Sequence, residues 1–258
     1  MKSLEVQLRQ LRDSGRKALV PYFVAGLTPD WVRHVEAAVL GGADVVEIGI
    51  PFSDPMMDGV VIQEAAMRAL EAGTTLDSIC ADLATLDSTV PMIAMTYYNI
   101  FHHYGLERSA GKLRSSNIIG AIVPDLALEE AADWKRACDA SDVATVFMVA
   151  PSTTEDRVAR IARASEGFVY AAARMAVTGR ASDAGESRRV VALIRSVSDL
   201  PAYVGIGITT PEQAHDACEQ SDGVIVGSAL VQLILDGGDV DSVEAFLGGF
   251  RRALDAEK

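Results

Sequence analysis

Cysteine is scarce in this sequence. Cys80, Cys138 and Cys218 are the only three in 258 residues, they lie far apart, and no Cys-x-x-Cys occurs. An odd, scattered set excludes a disulfide framework and a zinc-ligand pattern and fits a reducing cytoplasm. Each thiol falls in a helix-like stretch and is expected to be a small packing residue. Long hydrophobic runs are also missing. The longest, residues 18–27, is interrupted by Pro21, whereas a membrane span needs about 18 apolar residues. Residues 1–17 are charged and helical in pattern, without the apolar core of a signal peptide. Positive charge is in deficit: 23 Lys and Arg against 36 Asp and Glu leave a net charge of −13. Such a surface repels nucleic acid and anionic membranes, so any anionic ligand must be held by local donors. The four histidines are scattered, and His102 and His103, in a loop-like stretch, are adjacent and cannot easily share one metal. No Walker or dinucleotide fingerprint is present, because Gly205-Ile-Gly207 lacks a third glycine at the required spacing.

What remains is a folded globular composition, 49% hydrophobic and 23% charged. Short β-rich runs at residues 19–24, 44–48, 92–95, 120–123, 145–149, 168–171, 202–204 and 223–226 alternate with helical patterns. The helices expected are 30–40, 61–71, 76–83, 105–114, 129–141, 154–164, 187–197, 211–220 and 229–235, with Gly237-Gly238 as a stop. Residues 180–186, rich in Ser, Asp, Ala and Gly, read as a mobile loop. Eight strands, each followed by helical sequence, and no second compositional region predict one (β/α)8 TIM barrel over residues 1–258, with a short N-terminal helix. Chemistry in that architecture sits at the C-terminal ends of the strands.

Side chains alternate along a strand. In Asp44-Val-Val-Glu-Ile-Gly-Ile50, Val46, Ile48 and Ile50 are therefore expected against the helices, and Val45, Glu47 and Gly49 inside the barrel. A carboxyl in that position is a candidate general acid/base, since burial raises its pKa; the alternative is a Glu paired with a cation or a backbone donor. The loop that follows carries Asp54 and Asp58, where turn formation and helix capping compete with function. Three glycine motifs follow strands six, seven and eight: Val177-Thr-Gly179, Val204-Gly-Ile-Gly-Ile208 and Val226-Gly-Ser228. Glycine lets backbone N–H groups approach an anion, and the last two motifs lead into helices, so together they predict a phosphate site.

These motifs resemble the tryptophan synthase alpha subunit family, from Ala18-Leu-Val-Pro-Tyr22 to Val226-Gly-Ser228. The most specific segment is Glu47-Ile-Gly-Ile-Pro-Phe-Ser-Asp-Pro-Met-Met-Asp-Gly59; Met95-Thr-Tyr-Tyr-Asn99, Val123-Pro-Asp-Leu126 and Arg174-x-x-Val-Thr-Gly179 fall in order. The resemblance implies cleavage of indole-3-glycerol phosphate to indole and glyceraldehyde 3-phosphate without cofactor or metal. It assigns Glu47 as catalytic acid/base, Asp58 as the carboxylate that binds the indole N–H, and Tyr170 as the tyrosine beside the glutamate. Gly179, Gly207, Gly227 and Ser228 match phosphate-binding positions. Tyr22, Met95, Tyr97 and Asp125 would line or support the indole pocket. Arg174 and Thr178 belong to the loop that closes over substrate, and Asp54 to the face that meets a beta subunit.

Departures from the family pattern lie in the loops: Val60 and Ala127 where proline is usual, Ile100 likewise, Met56-Met57 for Leu-Ala, and Ala173 and Ala176 for Ser and Gly. They leave open a standalone indole-releasing lyase, or an impaired phosphate-binding barrel serving as a regulatory partner. Another phosphate-binding isomerase or aldolase is a further alternative, although no lysine stands at a C-terminal strand end to form a Schiff base.

Overall fold

A computed structural model describes residues 1–86, 88–172, 184–205 and 207–256. The strands are β1 (Ala18–Val24), β2 (Val46–Gly49), β3 (Met92–Met95), β4 (Ile118–Ile122), β5 (Ala144–Val146), β6 (Met148–Val149), β7 (Val169–Ala172), β8 (Ala202–Gly205) and β9 (Gly223–Val226). The helices are α1 (Ser3–Asp13), α2 (Trp31–Leu40), α3 (Val60–Glu71), α4 (Leu76–Leu83), α5 (Tyr98–Tyr104), α6 (Leu106–Ser115), α7 (Ala132–Ala140), α8 (Glu155–Ala164), α9 (Ala184–Val197), α10 (Pro211–Cys218), α11 (Ser228–Leu235) and α12 (Val240–Asp255).

Every strand pairing is parallel, in the order β5-β4-β3-β2-β1-β9-β8-β7-β6. The two ends of that order, β5 and β6, are separated in the chain by Phe147 alone. The sheet therefore closes into the expected TIM barrel, with β5 and β6 together forming its fifth position. The single strand expected at residues 145–149 divides because Phe147 switches partners. Its N–H donates to Ser165 Oγ at 3.3 Å, and its carbonyl accepts the N–H of Tyr170 on β7 at 3.1 Å.

Alternation along β2 is as the sequence predicts. Val46, Ile48 and Ile50 pack between sheet and helices, while Val45 joins the core inside the barrel. The inner core is completed by α1, whose Leu4 and Leu8 are buried among Val20, Val45, Ile93 and Phe168. This short amphipathic helix closes the N-terminal end of the barrel and leaves the C-terminal end open for a site.

Several boundaries differ from the sequence expectation. The second strand begins two residues late because Asp44 turns its carboxylate to the Leu19 N–H, Arg16 and Arg251. Residues 129–141 break into a 3-10 turn (Leu128–Glu130) and α7. His102 and His103 lie in α5 rather than in a loop. Residues 184–186, expected within the mobile loop, open α9; the remainder of that loop lies outside the described residues. Helix α12, beyond the glycine pair, was not expected; it packs against α2 and α10. The three cysteines are buried thiols. Trp134 stacks on Phe101 with ring centroids 4.5 Å apart, and Trp31 donates to Asp82 at 3.0 Å, both as packing residues.

Leu8→Ala should remove part of the barrel floor and cost about 2–5 kcal/mol, the usual range for a buried leucine. Urea unfolding measures it; a loss under about 1 kcal/mol would show that the barrel holds together without its N-terminal helix.

Candidate active site

A cavity of about 370 Å³ opens at the C-terminal ends of the strands. Its lining follows the circular strand order. Gly207 stands after β8, and Gly227 and Ser228 after β9. On the opposite side of the ring, Met95, Val123, Pro124, Leu126, Phe147 and Met148 form an apolar wall from β3, β4 and the β5–β6 pair. Between these two sides, Glu47 projects from β2 and Tyr170 from β7, again across the ring from each other. A molecule reaching from the glycines to the apolar wall must pass between Glu47 and Tyr170.

Glu47 is 1% exposed, and neither carboxyl oxygen has a hydrogen-bond partner. Loss of solvent is the main reason its pKa is pushed up to about 8, and the nearby charge of Asp58 raises it further. At neutral pH the group is chiefly a neutral acid, able to give a proton and to take it back. Asp58 also lines the cavity. Burial holds its pKa above the ordinary value, and the Tyr97 hydroxyl, which donates to Oδ2 at 3.0 Å, offsets only part of that rise. Tyr97 is in turn fixed by the Met57 N–H, which donates to its oxygen at 2.8 Å, and by stacking on Phe52 at 5.2 Å. Tyr97 thus stands behind Asp58 and holds the loop after β2 in place.

Two tyrosines crowd the acid, and each depends on a glycine of the neighbouring strand. Tyr22 is the register partner of Glu47, and its hydroxyl would lie 2.2 Å from a Cβ placed on Gly49. The Tyr170 hydroxyl would lie 2.0 Å from a Cβ on Gly205. No side chain fits at either position while the tyrosines keep these places. These glycines make room for rings rather than for an anion, a role that sequence spacing had not revealed. Burial, followed by the charges of Asp58 and Glu47, pushes both phenols well above their ordinary range. They remain neutral.

The glycine side of the cavity is different. Gly207 has φ +93°, a left-handed backbone that favours glycine, and Gly227 directly precedes α11, which begins at Ser228. A helix N-terminus and exposed main chain meet there, without a Lys or Arg among the described lining residues on that side.

Of the other residues expected at the site, Tyr22 and Met95 line the cavity. Asp125 is exposed and instead accepts the N–H of Tyr98 at 2.9 Å, tying the loop after β4 to the start of α5. Asp54 is exposed on the outer loop, where Ser53 Oγ donates to it at 2.6 Å. Arg174, Thr178 and Gly179 lie outside the described residues. Sequence reading had not found Ile62, Thr153, Arg157 and Ile161, which also line the cavity. Among the described residues no group of three or more His, Cys, Asp or Glu is placed to hold a metal, and no helix is long and apolar enough to cross a membrane.

Comparison with known proteins covers nearly the whole chain. A family model described as tryptophan synthase alpha chain matches residues 8–246. The chain belongs to the tryptophan synthase alpha chain family. The tryptophan synthase alpha chain of Thermobifida fusca is 45% identical over 250 residues, covering 94% of this chain and 92% of that protein. That of Methanosarcina mazei is 42% identical over 236 residues, covering 90% and 86%. A structure of Mycobacterium tuberculosis tryptophan synthase superposes with a TM-score of 0.93 at 34% identity, over 99% of both chains. Tryptophan synthase subunit alpha from Legionella pneumophila gives 0.89 at 32%, again over 99% of both. In this family member the barrel, the acid on β2 and the glycines after β8 and β9 occur together.

The raised pKa of Glu47 has a consequence for stability. Below its ordinary 4.5 the group is protonated in both the folded and the unfolded chain. Between 4.5 and about 8 the unfolded chain releases the proton while the folded chain keeps it, so Glu47 lowers stability as pH rises. Glu47→Gln should therefore gain stability over wild type between pH 5 and pH 8, by about 4 kcal/mol at most. Urea unfolding at the two pH values measures this; an equal difference at both would place the Glu47 carboxylate in a solvated, ionised state.

Proposed function

We propose that this chain cleaves indole-3-glycerol phosphate into indole and glyceraldehyde 3-phosphate, as the alpha subunit of a tryptophan synthase in tryptophan biosynthesis. One observation carries the reading: a buried, unpaired carboxyl stands between a glycine-lined helix start and an apolar wall. The substrate has the matching order of parts, a phosphate, a short polyol and a flat aromatic ring.

With the phosphate at Gly207, Gly227 and Ser228, the ring reaches Met95, Val123, Phe147 and Met148. The bond to be broken then lies between Glu47 and Tyr170. Glu47, neutral at pH 7, donates its proton to carbon 3 of the indole, and the ring nitrogen becomes positively charged. Asp58 accepts the indole N–H and stabilises that charge. Glu47, now a carboxylate, takes the proton from the hydroxyl on the carbon attached to carbon 3. The carbon–carbon bond breaks, its electron pair neutralises the ring, and the aldehyde leaves. Glu47 ends protonated, as it began. No cofactor or metal enters this sequence of steps. Tyr97 fixes the direction of Asp58, and Tyr22 and Tyr170 keep water from the acid.

A partner surface adjoins the mouth. Met56, Met57 and Val60 are 76%, 51% and 77% exposed beside Asp54. Such a cluster of large apolar side chains favours a protein partner there, which the reading takes to be a beta subunit in an α2β2 complex. The cytoplasm is the compartment that suits three buried free thiols.

Purified chain should release indole from indole-3-glycerol phosphate, and Glu47→Gln should lose nearly all turnover, on the order of a thousandfold, while substrate binding is retained. No indole release by wild type, with or without a beta subunit, would end this reading; release unaffected by a beta subunit would favour a standalone lyase. Gly227→Asp should abolish phosphate-dependent binding, since its side chain enters the cradle. Unchanged affinity for glyceraldehyde 3-phosphate would move the anion site elsewhere.

A further inference from the structure

The cavity continues beyond the apolar wall. It runs outward between the 3-10 turn after β4 and helix α8, past Leu128 and Thr153, to Arg157 and Ile161. Arg157 is the only cationic side chain among the described residues that line the cavity, and it follows the β5–β6 position, away from the glycine cradle. Its guanidinium donates to both oxygens of Glu129, at 2.8 and 2.9 Å. Arg160, three residues further along the same helix, reaches Glu129 at 3.0 Å. Two guanidinium groups thus share one carboxylate. The side chains of Arg157, Glu129 and Arg160 are 40%, 42% and 56% exposed, so solvent screens the bidentate pair, and Arg160 offers Glu129 a second cation. Arg157 can therefore turn to another carboxylate while Arg160 keeps Glu129 paired. Its planar fork suits a carboxylate in particular. Glu155 and Asp156, also on α8, are exposed and do not line the cavity.

We infer that this end of the cavity is a subsite for a carboxylate carried on the six-membered ring of an indole, with Arg157 as its specificity-determining residue. The inference rests on the orientation proposed above, with phosphate at the glycines and ring at the apolar wall. An unsubstituted indole stops at that wall. A carboxylate directed outward past Leu128 meets the guanidinium, whereas a methyl group there gains only apolar contact and no charge partner.

The test is calorimetric titration of the full chain with indole, 6-methylindole, indole-5-carboxylate and indole-6-carboxylate. At least one carboxylate should bind as tightly as indole. Arg157→Leu, which keeps an apolar side chain on α8, should weaken that carboxylate about tenfold and leave indole within about twofold. Glu129→Gln, which frees the guanidinium, should tighten it. The subsite is overturned if both carboxylates bind wild type at least about tenfold more weakly than indole, or if Arg157→Leu weakens indole and carboxylate alike. Weaker binding of glyceraldehyde 3-phosphate to Arg157→Leu would also overturn it, because the phosphate would then sit at Arg157. Indole release from the unsubstituted substrate is measured separately. Its failure alongside the expected binding pattern would remove the lyase reading and leave the subsite, while intact release with the wrong binding pattern would do the reverse.

Discussion

An acid buried without a hydrogen-bond partner governs the rest of this site. Desolvation makes the ionised form of Glu47 costly, so the barrel holds the group as a neutral proton donor near physiological pH. The second carboxyl, Asp58, differs in having a hydrogen bond, from the Tyr97 hydroxyl. Burial raises its pKa as well, the Tyr97 hydroxyl offsets part of that rise, and charge on Asp58 makes ionisation of Glu47 harder still. Both carboxyls are raised by burial, but only Glu47 lacks a hydrogen bond, which makes it the stronger candidate for the protonated partner. The tyrosines complete the arrangement by filling the space around Glu47, where water would otherwise restore its ordinary pKa.

Much of this was legible in the sequence because barrel strands obey a period of two. Once Val46, Ile48 and Ile50 are assigned to the helix side, Glu47 can only point inward, and the closed parallel sheet places it at the catalytic end. The order of the last two glycine motifs likewise located the glycine side of the cavity. What could not be read was what each glycine is for. Gly205 and Gly207 belong to one motif, yet one clears space for the Tyr170 hydroxyl and the other takes a left-handed turn beside the cavity. That difference depends on a contact across strands, invisible in the motif itself. Asp125 carries the same lesson: its place in a shared motif suggested that it lines or supports the pocket, and the contact it makes, with the Tyr98 N–H at the start of α5, joins two loops that the motif does not connect. The split of the fifth strand and the cavity-facing position of Arg157 arise from how β5, β6 and α8 meet β7 and the 3-10 turn, contacts between segments that no local pattern encodes.

The structure also weighs the loop departures unequally. Val60 is the first residue of α3, with Gly59 as its cap. Proline at that position supplies a preset φ and removes an N–H that the helix leaves without an internal partner in any case. Its replacement by valine costs pre-organisation but no hydrogen bond of the helix. Ala127 stands before the 3-10 turn and lines the cavity itself, so its change from proline alters the wall beside Leu126 and Leu128. Of the two, Ala127 bears on which ring fits, and Val60 on how the exposed face beside the mouth is held.

The negative balance of the chain and the chemistry of Glu47 are connected. A lysine or arginine beside the cradle would grip a phosphate strongly, but it would also stand within the electrostatic reach of Glu47. An opposite charge at that range favours the carboxylate and lowers its pKa, by up to a few units when the pair is buried. The acid would then be ionised at neutral pH and could not give the first proton. In the proposed placement, main-chain N–H groups at Gly207, Gly227 and the start of α11 avoid this conflict, because their partial charges fall off over a turn of helix. The only cation lining the described cavity, Arg157, stands at the far end with its charge already engaged by Glu129. With the phosphate placed as proposed, holding it with backbone dipoles is therefore part of what keeps Glu47 an acid.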